Sequence, residues 1–214
     1  MRVRSVAACV ILASCLVVQA GVAQKVKSEA TQPTFGLVAG ANFATFNGSD
    51  ATGAKTLTGL AFGAQATFSF SPTLFFQPQI LYSMKGAQQT DTSGTFKLKL
   101  NYIEAPLLLG LRLASARNPV RPYIMFGPTV AYLASCKVNL SSGGVSGEAD
   151  CASDATNSFD YGVTGGAGIE MATGRVTLSA AARYFLGLAE PVKSSNIKNA
   201  GFNVSIGAAI PLGH

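Results

Sequence analysis

The feature that most constrains this chain is a period of two. Apolar residues alternate with small or polar ones in eight successive stretches, and no stretch after residue 23 is apolar for 18 or more residues without interruption. Side chains on a strand point alternately to opposite faces, so this pattern describes strands with one greasy and one polar face. In the third stretch Leu74, Phe76, Pro78, Ile80, Tyr82 and Met84 oppose Gln77, Gln79, Ser83 and Lys85. In the second, Leu60, Phe62, Ala64, Ala66, Phe68 and Phe70 oppose Gly59, Gly63, Gln65, Thr67 and Ser69. The first (from Phe35), the fifth (about Val120 to Lys137), the sixth (about Asp160 to Glu170), the seventh (Arg175 to Tyr184) and the last (Phe202 to Ile210) follow the same rule.

The fourth stretch breaks it. Phe96, Leu98, Leu100 and Tyr102 form one apolar series, and Ile103, Ala105, Leu107, Leu109 and Leu111 form another of opposite parity. A one-residue slip exchanges the faces of a strand, so the sequence predicts a β-bulge near Tyr102–Ile103 that places Glu104 and Arg112 with Lys97 and Lys99. Pro78, Pro106, Pro122 and Pro128 each remove a ladder donor, and bulges are one way to absorb them.

The connections alternate in length. Those at about 47–56, 86–94, 138–158 and 187–200 are long; those at 71–73, 114–119 and 172–174 are short. Long loops on one rim and tight turns on the other are the pattern of barrels in the outer membrane. Alternation alone does not say whether the apolar face points to lipid or, as in a lipocalin, to an enclosed ligand. Charge decides between them. A soluble barrel needs an outer surface with roughly 25–35% charged residues, whereas this chain is 12% charged and its polar faces are mostly Gly, Ser, Thr, Asn and Gln. The expected fold is therefore all-β: an eight-stranded antiparallel up-and-down transmembrane β-barrel over residues 34–214. The lipid of the outer membrane is then its solvent, and Phe35, Phe46, Phe70, Phe75, Tyr82, Phe96 and Tyr184 are candidates for interfacial girdles.

Residues 1–23 read as a cleaved signal peptide: Arg2 and Arg4, an apolar run from Val6 to Val18, then Gly21-Val22-Ala23. A short periplasmic segment, 24–33, follows. Leu12-Ala13-Ser14-Cys15 also resembles a lipobox, but apolar residues continue beyond Cys15. The formal charge of +6 includes both of those arginines, and Lys and Arg cluster in no segment, which argues against a nucleic-acid partner. After cleavage two cysteines remain, Cys136 and Cys151, flanking one loop in an oxidising compartment; they are a candidate disulfide. A metal site is the weaker reading, because the single histidine, His214, is far off in sequence.

The opening Gly36–Asn42, the run Leu74–Gly86, and the segments Tyr102–Leu107 and Arg121–Pro128 together resemble the outer-membrane β-barrel family described as porin-like or PorT-like. The resemblance covers about Phe35 to Leu212. It implies a barrel, an outer-membrane location and insertion by the barrel-assembly machinery, to which Asn199, Gly201, Val204 and Ile206 of the last strand would speak. It implies no shared activity.

Glu104, Arg112, Arg121, Glu170, Arg175 and Arg183 are expected to face the lumen as a mutually paired charge network. Eight strands enclose a space that side chains fill, so a wide channel is not expected. No catalytic, cofactor or metal residues are proposed: there is no Ser-His-Asp or Cys-His set, Gly165–Gly168 lacks the context of a phosphate loop, and Glu148, Asp150 and Asp154 fit no calcium motif. The expected role is a monomeric, non-enzymatic anchor that presents extracellular loops to an unidentified ligand. A narrow pore is the alternative, and a soluble lipocalin-like carrier comes third.

Overall fold

The computed structural model describes residues 32–212 except 52, 92–93, 116, 143–144, 153–155 and 193–195. The signal peptide, the lipobox cysteine, most of the segment 24–33, Asp154 and His214 lie outside the described residues.

Among the described residues nine strands follow one another: β1 (Thr34–Asn47), β2 (Lys55–Ser69), β3 (Leu74–Asp91), β4 (Gly94–Arg112), β5 (Val120–Ser142), β6 (Val145–Asp150), β7 (Phe159–Thr173), β8 (Val176–Gly187) and β9 (Lys198–Pro211). All neighbours are antiparallel. The order runs β4-β3-β2-β1-β9-β8-β7-β5, and β4 pairs with β5 to close the ring. Eight strands thus make the barrel. The ninth, β6, pairs only with the far end of β5 and stands outside the ring. Closure removes the sheet edges that would otherwise expose unpaired backbone groups to hydrocarbon.

The faces are inside out relative to a soluble protein. Leu37, Ile80 and Ile206 are 68%, 66% and 69% exposed, whereas Gln65, Gln77, Gln79, Lys85, Glu104, Arg112, Glu170 and Arg183 are buried. The apolar series therefore covers the whole outer wall, far more area than a soluble monomer leaves open to water. The start of β1 and the end of β9 meet on the short-turn rim, where the Leu212 amide donates to the Pro33 carbonyl.

The fourth strand corrects the expected bulge. Between Gly94 and Arg112 its even-numbered residues stay on the inner side without a change of parity in β4 itself: Leu100, Tyr102, Glu104, Leu108 and Arg112 are all buried. The register shift at Asn101/Tyr102 belongs to β5, where Ala134 is the extra residue between Leu133 and Ser135. What flips is the surroundings. About 9–11 tilted residues span a membrane, and β3, β4 and β5 are 18, 19 and 23 residues long. Their outer ends project beyond the lipid, where Lys97 and Lys99 can lie on the outside and apolar residues can turn inwards. The stretch 86–94, expected as a loop, is consequently strand at 86–91 and again from 94.

The prolines are not absorbed by bulges. The β3–β4 register is the same before and after the gap that follows Pro78/Leu107, and the β4–β5 register is the same across the gap after Pro106/Thr129. The ladder simply opens where the donor is missing. Two of the expected girdle aromatics also point inwards: Phe75 is buried in a cluster with Leu108, Tyr123 and Met125, and Phe46 packs on Leu100 and Tyr102. Phe75 fits because its cross-strand partner is Gly110, where any Cβ would overlap the ring. Tyr123 stands over Gly168 in the same way.

Candidate functional site: a bridged lumen below a clipped outer sheet

Inward-facing polar residues have no bulk water to pair with, so they pair with one another. At the short-turn end, Arg112 at the end of β4, Arg121 at the start of β5 and Glu170 on β7 come together. Arg112 Nε donates to Glu170 Oε1 at 2.6 Å, and Arg121 Nη2 forms an ion pair with the same oxygen at 2.7 Å. Arg112 Nη1 also donates to Ser69 Oγ at 3.1 Å, and its guanidinium lies 4.5 Å from the Phe75 ring centroid.

Halfway along the barrel, Arg183 of β8 reaches across to β3. Its Nη1 donates to Gln79 Oε1 at 2.6 Å, and its Nη2 to Asn203 Oδ1 at 2.7 Å. In the strand order β3 and β8 are four places apart in a ring of eight, so this bond spans the diameter. Gln79 passes the chain on to Gln65 (3.1 Å), and Asn203 passes it to Asn42 (2.8 Å) and from there to Ser83 (2.9 Å). One hydrogen-bonded network thus joins β1, β2, β3, β8 and β9.

Nearer the outer mouth, Lys85 of β3 forms an ion pair with Glu104 of β4, and its Nζ sits 3.3 Å from the ring centroid of Phe185 on the facing β8. A buried charge left single would cost several kcal/mol, and here the ammonium has both a carboxylate and a ring face. Asn199 of β9 donates to the Tyr102 hydroxyl of the opposite β4 (3.1 Å) and to Asp160 Oδ2 of β7 (2.7 Å). Above this, Leu100, Tyr102 and Ala131, with Phe46, Leu98 and Leu133 against them, close the mouth with apolar side chains.

Beyond the mouth, β3 to β6 continue as a sheet. Residues directly opposite across a ladder share a face, so Lys97 and Lys99 of β4, Lys137 and Asn139 of β5, and Glu148 and Asp150 of β6 lie together. Lys99 Nζ and Lys137 Nζ both reach Glu148, at 3.0 and 2.8 Å. Hydrogen bonds and charge from the two ammonium groups hold the Glu148 carboxyl down at about 2. The opposite face carries the disulfide: Cys136 and Cys151 are bonded, and the Cys151 amide donates to the Cys136 carbonyl at 3.1 Å. It ties the end of β6 to β5.

Five of the six charges expected in the lumen are there: Glu104, Arg112, Arg121, Glu170 and Arg183. They form separate groups rather than one mutual network, since Arg183 is held by neutral amides and Glu104 pairs with Lys85. Arg175 is not in the lumen. It occupies the tight β7–β8 turn and is exposed, because β7 ends at Thr173 and β8 begins only at Val176, and alternation does not continue through a turn. Lys85 and Asp160 stood on the polar faces of their stretches, but which carboxylate meets which cation depends on register between strands, which alternation within one strand does not supply. Lys97 and Lys99 lie outside the barrel rather than beside Glu104.

Residues 23–190 match the family described as outer membrane protein beta-barrel domain. No curated protein matches the sequence. Among solved structures, Neisserial surface protein A is similar at 18% identity and a TM-score of 0.48, covering 83% of this chain and 97% of that one. The attachment invasion locus protein of Yersinia pestis is 12% identical at a TM-score of 0.43, covering 84% and 99%. The outer membrane protein OprG from Pseudomonas aeruginosa is 13% identical at 0.45, covering 88% and 99%.

Proposed function

This chain belongs to the outer membrane protein β-barrel family and resides in the bacterial outer membrane, and from that premise we propose that it is a non-enzymatic anchor presenting an outer sheet for surface recognition. The observation that carries the proposal is the contrast between lumen and outer end. The lumen is bridged from wall to wall at Arg183–Gln79, Lys85–Phe185 and Asn199–Tyr102, and closed above by Leu100 and Tyr102. The outer ends of β3, β4 and β5, with β6 added and clipped by Cys136–Cys151, form an extension that the barrel does not need in order to span lipid. A rigid scaffold with elaborated connections on one side is the usual arrangement for binding.

Planar-bilayer recording of the purified mature chain tests it. The anchor reading expects no steady single-channel steps. Steps that vanish on Arg121→Gln or Arg183→Gln would establish a conducting lumen and overturn it.

A further inference from the structure

Charges do not balance at the short-turn end. Among the described residues Arg112, Arg117, Arg121 and Arg175 lie there, with Glu170 as the one acidic residue. That is a surplus of three positive charges. The outer end mixes both signs, as in Lys99–Glu148–Lys137. Inside the short-turn end is a cavity of about 100 Å³, walled by Arg112, Arg121, Glu170 and the hydroxyls of Thr67, Ser69 and Ser179. A single water needs roughly 10–15 Å³, so the space admits a polyatomic solute.

The two guanidinium groups share one oxygen of one carboxylate, which leaves a full positive charge beside the cavity. Arg112 spends a further donor on Ser69 and packs its guanidinium on Phe75. Arg121 has Glu170 as its only ion-pair partner among the described residues, and its side chain is 19% exposed. A guanidinium carries five N–H donors, so most of those on Arg121 are not spent on the described residues and can face the cavity. Planar guanidinium donors match the oxygens of phosphate, and the match is stronger in a partly dry site.

We propose that this cavity binds a phosphate-class oxyanion entering from the periplasmic rim. Arg121 is the direct contact, Arg112 holds the positive wall, and the hydroxyl collar supplies further donors. A surplus of three charges at the mouth favours a phosphate monoester or inorganic phosphate, which carries about −1.5 to −2 at neutral pH, over a monocarboxylate. Phosphate oxygens are offered by two sources: a free phosphate in the periplasm, which carries the higher charge, and the singly charged phosphodiester of a phospholipid headgroup in the inner leaflet.

The test uses the mature chain with ¹⁵N-labelled arginine in maltoside micelles, titrated with sodium phosphate against sodium chloride at matched ionic strength. The expected result is a saturable shift of the Arg121 side-chain signal with phosphate alone. Affinity should fall about tenfold or more in Arg121→Gln and be unchanged in Lys55→Gln, whose side chain is exposed at the start of β2, at the opposite end of the barrel. If Arg121→Gln does not give a folded, heat-modifiable barrel, Arg121→Lys replaces it; it keeps the charge, loses the planar fork, and should also weaken binding. A second arm compares nanodiscs of phosphatidylglycerol with maltoside micelles, both without added inorganic phosphate. A shift in the nanodiscs that added phosphate does not increase assigns the site to lipid, and a shift only on adding phosphate assigns it to a free anion. Equal shifts with chloride, no saturation, or unchanged affinity in the Arg121 variant would overturn the site. None of these results depends on whether the lumen conducts.

Discussion

The diametric bond from Arg183 to Gln79 can be isolated by a double-mutant cycle with Arg183→Met and Gln79→Met. Both residues are buried, and the 2.6 Å contact is a hydrogen bond to a charged donor, a class that contributes about 1.5–3 kcal/mol net. Neither single variant measures that quantity. Arg183→Met also frees Asn203 Oδ1, which accepts from Nε at 3.2 Å and from Nη2 at 2.7 Å. It also relieves the desolvation cost of a buried guanidinium, which acts in the opposite direction and amounts to several kcal/mol. Gln79→Met removes the donor to Gln65 as well. These side effects appear on two parallel edges of the cycle and cancel. What remains is the coupling across the lumen.

The assay is reversible urea unfolding of the four proteins in lipid vesicles, followed by heat-modifiable gel migration and by circular dichroism. The expected coupling is about 1.5–3 kcal/mol, with the double variant less destabilised than the sum of the singles. Residues that do not communicate add to within about 0.5 kcal/mol. A coupling inside that limit would mean that the two side chains do not meet in the folded barrel, and the wall-to-wall brace would be refuted.

Three other outcomes follow from the geometry. Gly110→Val should destabilise the barrel by about 1–3 kcal/mol through overlap with Phe75, whereas Gly147→Ala on β6, where an added Cβ meets nothing within 4 Å, should change little; urea midpoints compare the two. The double variant Cys136→Ser/Cys151→Ser should keep its heat-modifiable migration but lose amide protection in β6. The local loss is up to about 3 kcal/mol for a loop of this size, judged by the 15-residue separation of the cysteines. Glu148 should titrate near 2 in a carboxyl-carbon NMR series. Its folded pKa is depressed, so its contribution to docking β6 is complete above the ordinary carboxylate range and is lost as pH falls towards 2. In Lys137→Met/Lys99→Met the titration should return to the ordinary range.

Much of the barrel was legible in the sequence because lipid and lumen are unlike solvents on the two faces of each strand. Gln77, Gln79, Ser83 and Lys85 against Ile80 and Tyr82 is a statement about faces, and the fold keeps it. The β4 anomaly was legible as an anomaly but not in its cause. Parity in hydrophobicity reports the medium on each side, and the medium changes from hydrocarbon to water where Lys97 and Lys99 leave the membrane. The same sequence signal arises from a shifted backbone or from a changed solvent, and β4 is the second case. Pairings such as Lys85–Glu104 and fits such as Phe75 over Gly110 depend on how two strands are registered. No single strand's pattern contains that information, and it is also why Phe46 and Phe75 read as girdle residues when they fill the lumen.

Self-satisfaction of the lumen bears directly on transport. A narrow barrel interior excludes bulk water, so its charges are stable only when they find partners inside it. Three of the contacts cross from wall to wall: Arg183 with Gln79, Lys85 with Phe185, Asn199 with Tyr102. A solute moving along the axis would have to part each of these contacts in turn while offering its own compensation. The interactions that make the polar interior tolerable are therefore the ones that obstruct it. Under the anchor proposal, chemistry open to solutes is left to the two ends: the proposed anion cavity beside Arg121 and the clipped outer sheet of β5 and β6.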